Sequence, residues 1–201
     1  MVTESHIMLA KYFSESFLSD CDGAYRFAFY LGSIAPDFNP VTFLRGFKTV
    51  AHFRGHHYEA SLKAVRRLME TLSEEGDGSW WDYYCLGKLA HYMVDGFTWP
   101  HNLSLYTDTI KAHMSYEHEL NGLLFEKLKT LGKADWSSRD VSTLYRDYLQ
   151  AHASYVAGGH SMEADMTYAL KTVGSTISAL QLCFSYRASL GMAASGTALA
   201  K

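Results

Sequence analysis

The reading of this chain turns on His91-Tyr-Met-Val-Asp95-Gly-Phe-Thr-Trp-Pro-His101. Three potential metal ligands fall within this apolar run. His91 and Asp95 stand four apart, so on a helix they share one face. Pro100 lacks an N–H and disfavours helix in the residue before it, which predicts a helix end near Trp99. His101 then lies just past that end, free to turn back toward the same face. A histidine and a carboxylate side by side, with a second histidine at the helix exit, suit a site holding more than one metal.

Working outward, the motif sits on a helix expected from Trp80 to Trp99, whose Tyr84, Gly87, Lys88, His91 and Asp95 fall along one line. Downstream, a helix from Thr107 to Leu131 carries His113 and Glu117, a second His-to-carboxylate pair four apart, and Gly132 stops it. Ser137 with Asp140 marks the start of a helix to Val156. Gly158-Gly159 breaks that helix, and a last one runs from Met162 to Leu190 with a fraying tail. Upstream, apolar spacing predicts helices over His6–Ser19, with Ser5 or Thr3 as cap, and over Ala24–Ser33. Ile34-Ala35-Pro36-Asp37-Phe38-Asn39-Pro40 reads as a loop, because proline cannot continue a helix. Val41 to Val50 reads as irregular. Ala51–Ser73 is amphipathic, with Leu62, Val65, Leu68, Met69 and Leu72 on its inner stripe. Nothing alternates like a strand, so the expectation is an all-α, multi-helix single domain over 1–201.

Composition narrows the function. With 48% hydrophobic and 19% charged residues the chain matches an ordinary globular protein. A formal charge of -3 gives no nucleic-acid-binding signal. Lys63, Arg66 and Arg67 fit a solvated helix face. Ten histidines raise the prior for metal binding, since neutral imidazole is the commonest metal ligand. Cys21, Cys85 and Cys183 form no CxxC pair and read as reduced, mostly buried thiols. No signal-peptide pattern and no apolar run approaching the ~18 residues of a membrane span is seen. The expected location is cytoplasmic; oligomeric state is not readable.

Further candidate ligands complete a series: His6 at the first helix, Asp37 after Pro36, and His52, with His56 or His57 as alternatives to it. Singly, each has an ordinary explanation. Together they require burial of several imidazoles and carboxylates among apolar helices, which is costly without a compensating charge. Divalent metal supplies that charge. His152 and His160 read as structural or surface residues, His118 points away from Glu117, and Trp99 and Tyr116 fit core packing. No Glu-x-x-His pair occurs, which argues against a di-iron bundle.

The order His6, Asp37, His52, His91, Asp95, His101, His113, Glu117 resembles the ligand series of the zinc-dependent phospholipase C family and of the related single-strand-specific trimetal zinc nucleases. Gly32-Ser-Ile-Ala-Pro-Asp37 looks like the family's Pro-Asp loop. His91-x3-Asp95-x5-His101 looks like its central motif, and His113-x3-Glu117 like its last pair. The resemblance implies an all-α fold with up to three Zn2+ in one cleft. It assigns Asp37, His52, His91 and Asp95 to one zinc, Asp95, His6 and the N-terminal residue to a second, and His101, His113 and Glu117 to a third. It also makes Asp37 a catalytic residue, as general base. The implied activity is phospholipase-C-like hydrolysis of a phosphodiester, on a phosphoester small molecule or phospholipid head group, by zinc-activated water. Alternatives are a nuclease-like phosphodiesterase and a metal-binding protein of this fold without catalysis. The family pattern places a tryptophan at the mature N-terminus, whereas no tryptophan precedes His6 here.

Overall fold

A computed structural model describes residues 1–38, 57–102, 109–134 and 140–198, with side chains up to residue 190. The described residues form seven α-helices and two 3-10 turns, with no strand among them. In chain order the helices are α1 (Thr3–Phe17), α2 (Gly23–Phe38), α3 (Tyr58–Glu74), α4 (Trp80–Gly96), α5 (Ile110–Thr130), α6 (Leu144–Ala157) and α7 (Met162–Ala198). The 3-10 turns are Trp99–His101 and Val141–Thr143. No described helix is long and apolar enough to cross a membrane.

α4 is the centre of the architecture. From Leu89 to Gly96 every residue is buried, whichever way it points, as expected of a helix surrounded by others. A capping box fixes its start: the Ser79 hydroxyl accepts from the Asp82 N–H at 3.3 Å, and Asp82 accepts from the Ser79 N–H at 3.0 Å. α4 packs most extensively on α2, with α3 beside it and α7 touching α1, α3, α4, α5 and α6. The α2–α4 contact is a backbone contact. A Cβ on Gly32 would strike the Tyr84 carbonyl, and one on Gly87 would strike the Phe29 carbonyl and the Ser33 N–H. Two glycines therefore let these helices touch main chain to main chain.

Four boundaries depart from the sequence reading. α1 begins at Thr3 with Val2 as cap; neither Thr3 nor Ser5 caps it, because their hydroxyls are used elsewhere, Thr3 on Asp37 at 2.7 Å and Ser5 on Asn121 at 2.7 Å. The expected loop at Ile34–Pro40 is helical as far as Phe38, with Pro36 inside α2. Pro36 leaves the Gly32 carbonyl without its usual donor, and dense packing of α2 on α4 outweighs that local loss. α3 starts at Tyr58, after an extended His57, so 57 is not helical as expected. α4 stops at Gly96, three residues early, and Pro100 sits in the following 3-10 turn. The expectations for Asn39–Pro40, Val41–Val50, the Ala51 helix start and Ser137 fall outside the described residues. The three cysteines are free, as expected, but half-buried.

Val65, Met69 and Leu72 of the expected α3 stripe are buried, and Leu62 and Leu68 pack against the core. Gly159 takes the positive φ of 77° that makes a glycine break between α6 and α7.

Candidate metal centre

The site gathers four elements around α4: the start of α1, the end of α2, the 99–101 turn and the first half of α5. His6, His91 and Asp95 form one three-donor group, and His101, His113 and Glu117 form another; in each, the ligand atoms lie within 4.8 Å of one another. The first is fully buried. In the second, side-chain exposures of 11% for His101, 16% for His113 and 11% for Glu117 leave it open to one side.

Asp95 joins the two groups. Its Oδ1 lies 2.6 Å from the Met1 amine and 3.2 Å from His6 Nε2. Its Oδ2 lies 3.3 Å from His91 Nε2 and 3.7 Å from His101 Nδ1. Glu117 Oε1 has a similar setting: His101 Nε2 at 2.7 Å, His113 Nε2 at 3.2 Å and the Met1 amine at 3.1 Å. Burial alone would raise the Asp95 carboxyl; His101, the amine, His6 and His91 instead hold it well below the usual carboxylate range. Glu117 is likewise lowered against burial, first by the amine and then by His101 and His113. Burial would lower the Met1 amine, but Asp95 and Glu117 raise it to about 10, so a positive charge sits between the two carboxylates. His6 is lowered to about 4 by burial and by His91, whose ring stacks on it at 3.8 Å.

These states suit a divalent cation. Ligation needs neutral imidazole and ionised carboxylate, which the environments of His6, Asp95 and Glu117 favour. The donor set, nitrogen from histidine with carboxylate oxygen, is one that zinc accepts. The His91 tautomer fits as well. Its Nδ1 lies 2.8 Å from the Ser33 carbonyl, which can only accept, so Nδ1 carries a proton and Nε2, facing Asp95 at 3.3 Å, is the nitrogen placed to ligate.

Asp37, in the last turn of α2, approaches this group without joining it: Oδ1 is 3.6 Å from His91 Nε2, and Oδ2 accepts the Thr3 hydroxyl. His52 and His56 lie outside the described residues. His57 is buried but belongs to neither group. His118 is exposed. His160 stacks on Trp99 at 4.3 Å. His152, read as structural or surface, is buried, with its ring on Tyr58 at 3.3 Å.

Several supporting residues escaped the sequence reading. Asn102 is fully buried; its Nδ2 donates to the Gly96 and Thr98 carbonyls at 3.3 and 3.1 Å, and its Oδ1 accepts from His152 Nε2 at 2.7 Å. It closes the chain on itself right after His101. Its adjacency to His101 was the one signal available. Ser33 acts through its carbonyl, which side-chain chemistry cannot reveal, and Thr3 looked like a cap.

Compared with known proteins, the chain matches a family model described as zinc dependent phospholipase C over residues 5–162. No curated protein and no solved structure matches it.

Proposed function

The chain belongs to the zinc-dependent phospholipase C family, and from that premise we propose that it is a zinc hydrolase that cleaves phosphodiesters. The observation that carries this reading is the convergence of two three-donor groups at Asp95, which belongs to the buried one and lies 3.7 Å from His101 of the other, whose edge is open.

In this reading His6, His91 and Asp95 hold one zinc and His101, His113 and Glu117 another, with His52 as a further ligand. Zinc supplies Lewis-acid polarisation of phosphoryl oxygens and acidified water. The protein's residues supply the rest. The Ser33 carbonyl fixes the His91 ring with Nε2 inward. Burial keeps His6 neutral, and Asp95 stays ionised between the groups. Asp37 is the proposed general base: the Thr3 hydroxyl occupies one of its oxygens and leaves the other facing His91. Its side chain is 17% exposed, against 1% for Asp95, so it can exchange a proton with solvent. The open edge at His101, His113 and Glu117 is where a phosphodiester would enter. A phospholipid head group is the substrate class the family implies.

The test is hydrolysis of a panel of phosphomonoesters and phosphodiesters, including a phosphatidylcholine, a nucleotide diester and single-stranded DNA, by metal-free and zinc-reloaded protein. Zinc-dependent cleavage of the lipid diester, lost in Asp37→Asn with zinc content retained, is expected. Cleavage of DNA in preference would favour a nuclease-like enzyme. Stoichiometric zinc with no turnover of any diester would leave a metal-binding protein.

A further inference from the structure

Asp165, in the first turn of α7, has no exposed surface at all. Three donors satisfy it. Its Oδ2 accepts the Trp99 N–H at 3.0 Å and the Tyr116 hydroxyl at 2.9 Å, and its Oδ1 accepts the Tyr155 hydroxyl at 2.7 Å. Among the described residues no lysine or arginine forms an ion pair with it. A buried carboxylate is costly unless it is paired or hydrogen-bonded; burial raises the Asp165 carboxyl, and its three donors together with nearby His160 offset part of that rise.

What the three donors belong to is informative. Trp99 opens the 3-10 turn that ends in His101. Tyr116 immediately precedes Glu117 and lies three residues after His113 on α5. One oxygen of Asp165 therefore ties the main chain beside one member of the second donor group to the helix carrying the other two. The turn and α5 are separated by the residues from 103 to 108, which lie outside the described part of the chain. Asn102 fixes the turn to α4 and α6, not to α5. Tyr155 completes the arrangement by holding the far side of the carboxylate from α6.

We infer that Asp165 is the positioning residue of the His101, His113 and Glu117 group: its shared oxygen sets the spacing between the turn and α5 so that three ligands from two elements meet at one metal. The inference rests on the reading of these three residues as zinc ligands. Asp165 lies beyond residues 5–162, the span that matches the family. It touches none of the ligand side chains and acts through Trp99 and Tyr116. A carboxylate is suited to the task because both of its oxygens can accept, and all three partners donate.

The experiment compares wild type with Asp165→Leu, Asp165→Asn and Tyr116→Phe in the full chain. Zinc content after dialysis against buffered free zinc, and stepwise competition with a chromophoric chelator, report each site without relying on activity. Asp165→Leu should lose one zinc equivalent, or bind it about 10- to 100-fold more weakly, the usual effect of losing an outer support of a metal site. The remaining metal should keep its wild-type affinity. Tyr116→Phe should weaken the same step by roughly half as much on a logarithmic scale. Asp165→Asn should rescue it to within about threefold, because the amide oxygen can accept from Trp99 and Tyr116 while the amide nitrogen donates to the Tyr155 oxygen. If Asp165→Leu does not fold, Tyr116→Phe and Asp165→Asn decide. Wild-type affinity in Tyr116→Phe, or an Asn variant as impaired as the Leu variant, overturns the inference while leaving the zinc reading intact. A wild-type protein that takes up no zinc at this group overturns both.

Discussion

Around the two oxygens of Asp95 stand the Met1 amine and nitrogens of His6, His91 and His101. Asp95→Asn keeps the shape but removes the negative charge that faces the buried Met1 amine at 2.6 Å. We expect zinc to be lost from the His6 group and weakened at the His101 group, read by elemental analysis. The metal-free variant should lose about 3–5 kcal/mol of stability in urea unfolding, the usual cost of breaking a buried charge pair. Acid response follows from the same burial. His6 and His152 are both lowered from 6.5 to about 4, chiefly by desolvation. Between those values the unfolded chain takes up protons that the folded chain refuses. The contribution of these two histidines to the stability of the metal-free protein is therefore full above pH 6.5 and falls as the pH drops toward 4, while that of the Met1 amine, raised to about 10, is lost as the pH rises from 8 toward 10. Asp95 and Glu117, with depressed carboxyls, extend the loss further into acid. His152→Gln can still donate to Asn102, and should make the pH 6.5-to-4 limb shallower by up to one proton's slope, measured by urea unfolding at each pH. At this scale the sequence was informative about donors and silent about their supports. His6, His91, Asp95, His101, His113 and Glu117 announce themselves by type and spacing. Asn102 and Asp165 do not, because their partners lie on other elements.

Helix α4 orients its candidate ligand His91 through the Ser33 carbonyl only if α2 lies close enough for the two to meet at 2.8 Å. The glycine contact secures that distance. Gly87→Ala would drive a methyl group into the Phe29 carbonyl and the Ser33 N–H, both backbone atoms with little freedom to move. Overpacking of this kind costs about 1–3 kcal/mol and occasionally more; we expect the upper end in denaturant unfolding, with zinc affinity falling in parallel as Ser33 withdraws from His91. Gly122→Ala on α5, where an added Cβ meets nothing within 4 Å, is the control and should leave both unchanged or slightly improved. Local rules placed most helices within a few residues and failed where tertiary contacts prevail. Pro36 predicts a loop from its own chemistry, yet α2 continues past it because its neighbours Ser33 and Gly32 are held against α4. Likewise, Pro100 correctly announces the end of α4 but not the early stop at Gly96, beneath which the Tyr148 ring is packed.

For the molecule as a whole, the metal site and the fold share the same residues. The candidate ligands come from α1, α4, α5 and the 99–101 turn, so a zinc bound there would link elements that are distant in sequence. Metal bound only to the folded state stabilises it by mass action, about 2.7 kcal/mol at a free concentration 100 times the dissociation constant. Chelation should therefore lower the thermal midpoint, and zinc, but not magnesium, should restore it, as differential scanning calorimetry would show. The all-α class was legible because apolar periodicity and glycine or proline breaks recur along the whole chain. The family was legible because ligand order survives in the sequence even when partners are far apart. The resemblance grouped His101, His113 and Glu117 as the structure does, but it put His6 and His91 at different metals, whereas the structure stacks their rings where α1 folds against α4. The contact between Gly32 and Gly87 also bears on how this chain tolerates change. Every single-base substitution in a glycine codon that does not end the chain or preserve glycine adds a side chain. In a mutational library sorted for zinc retention, these two positions should thus be depleted as strongly as the ligands, though they contribute no donor atom.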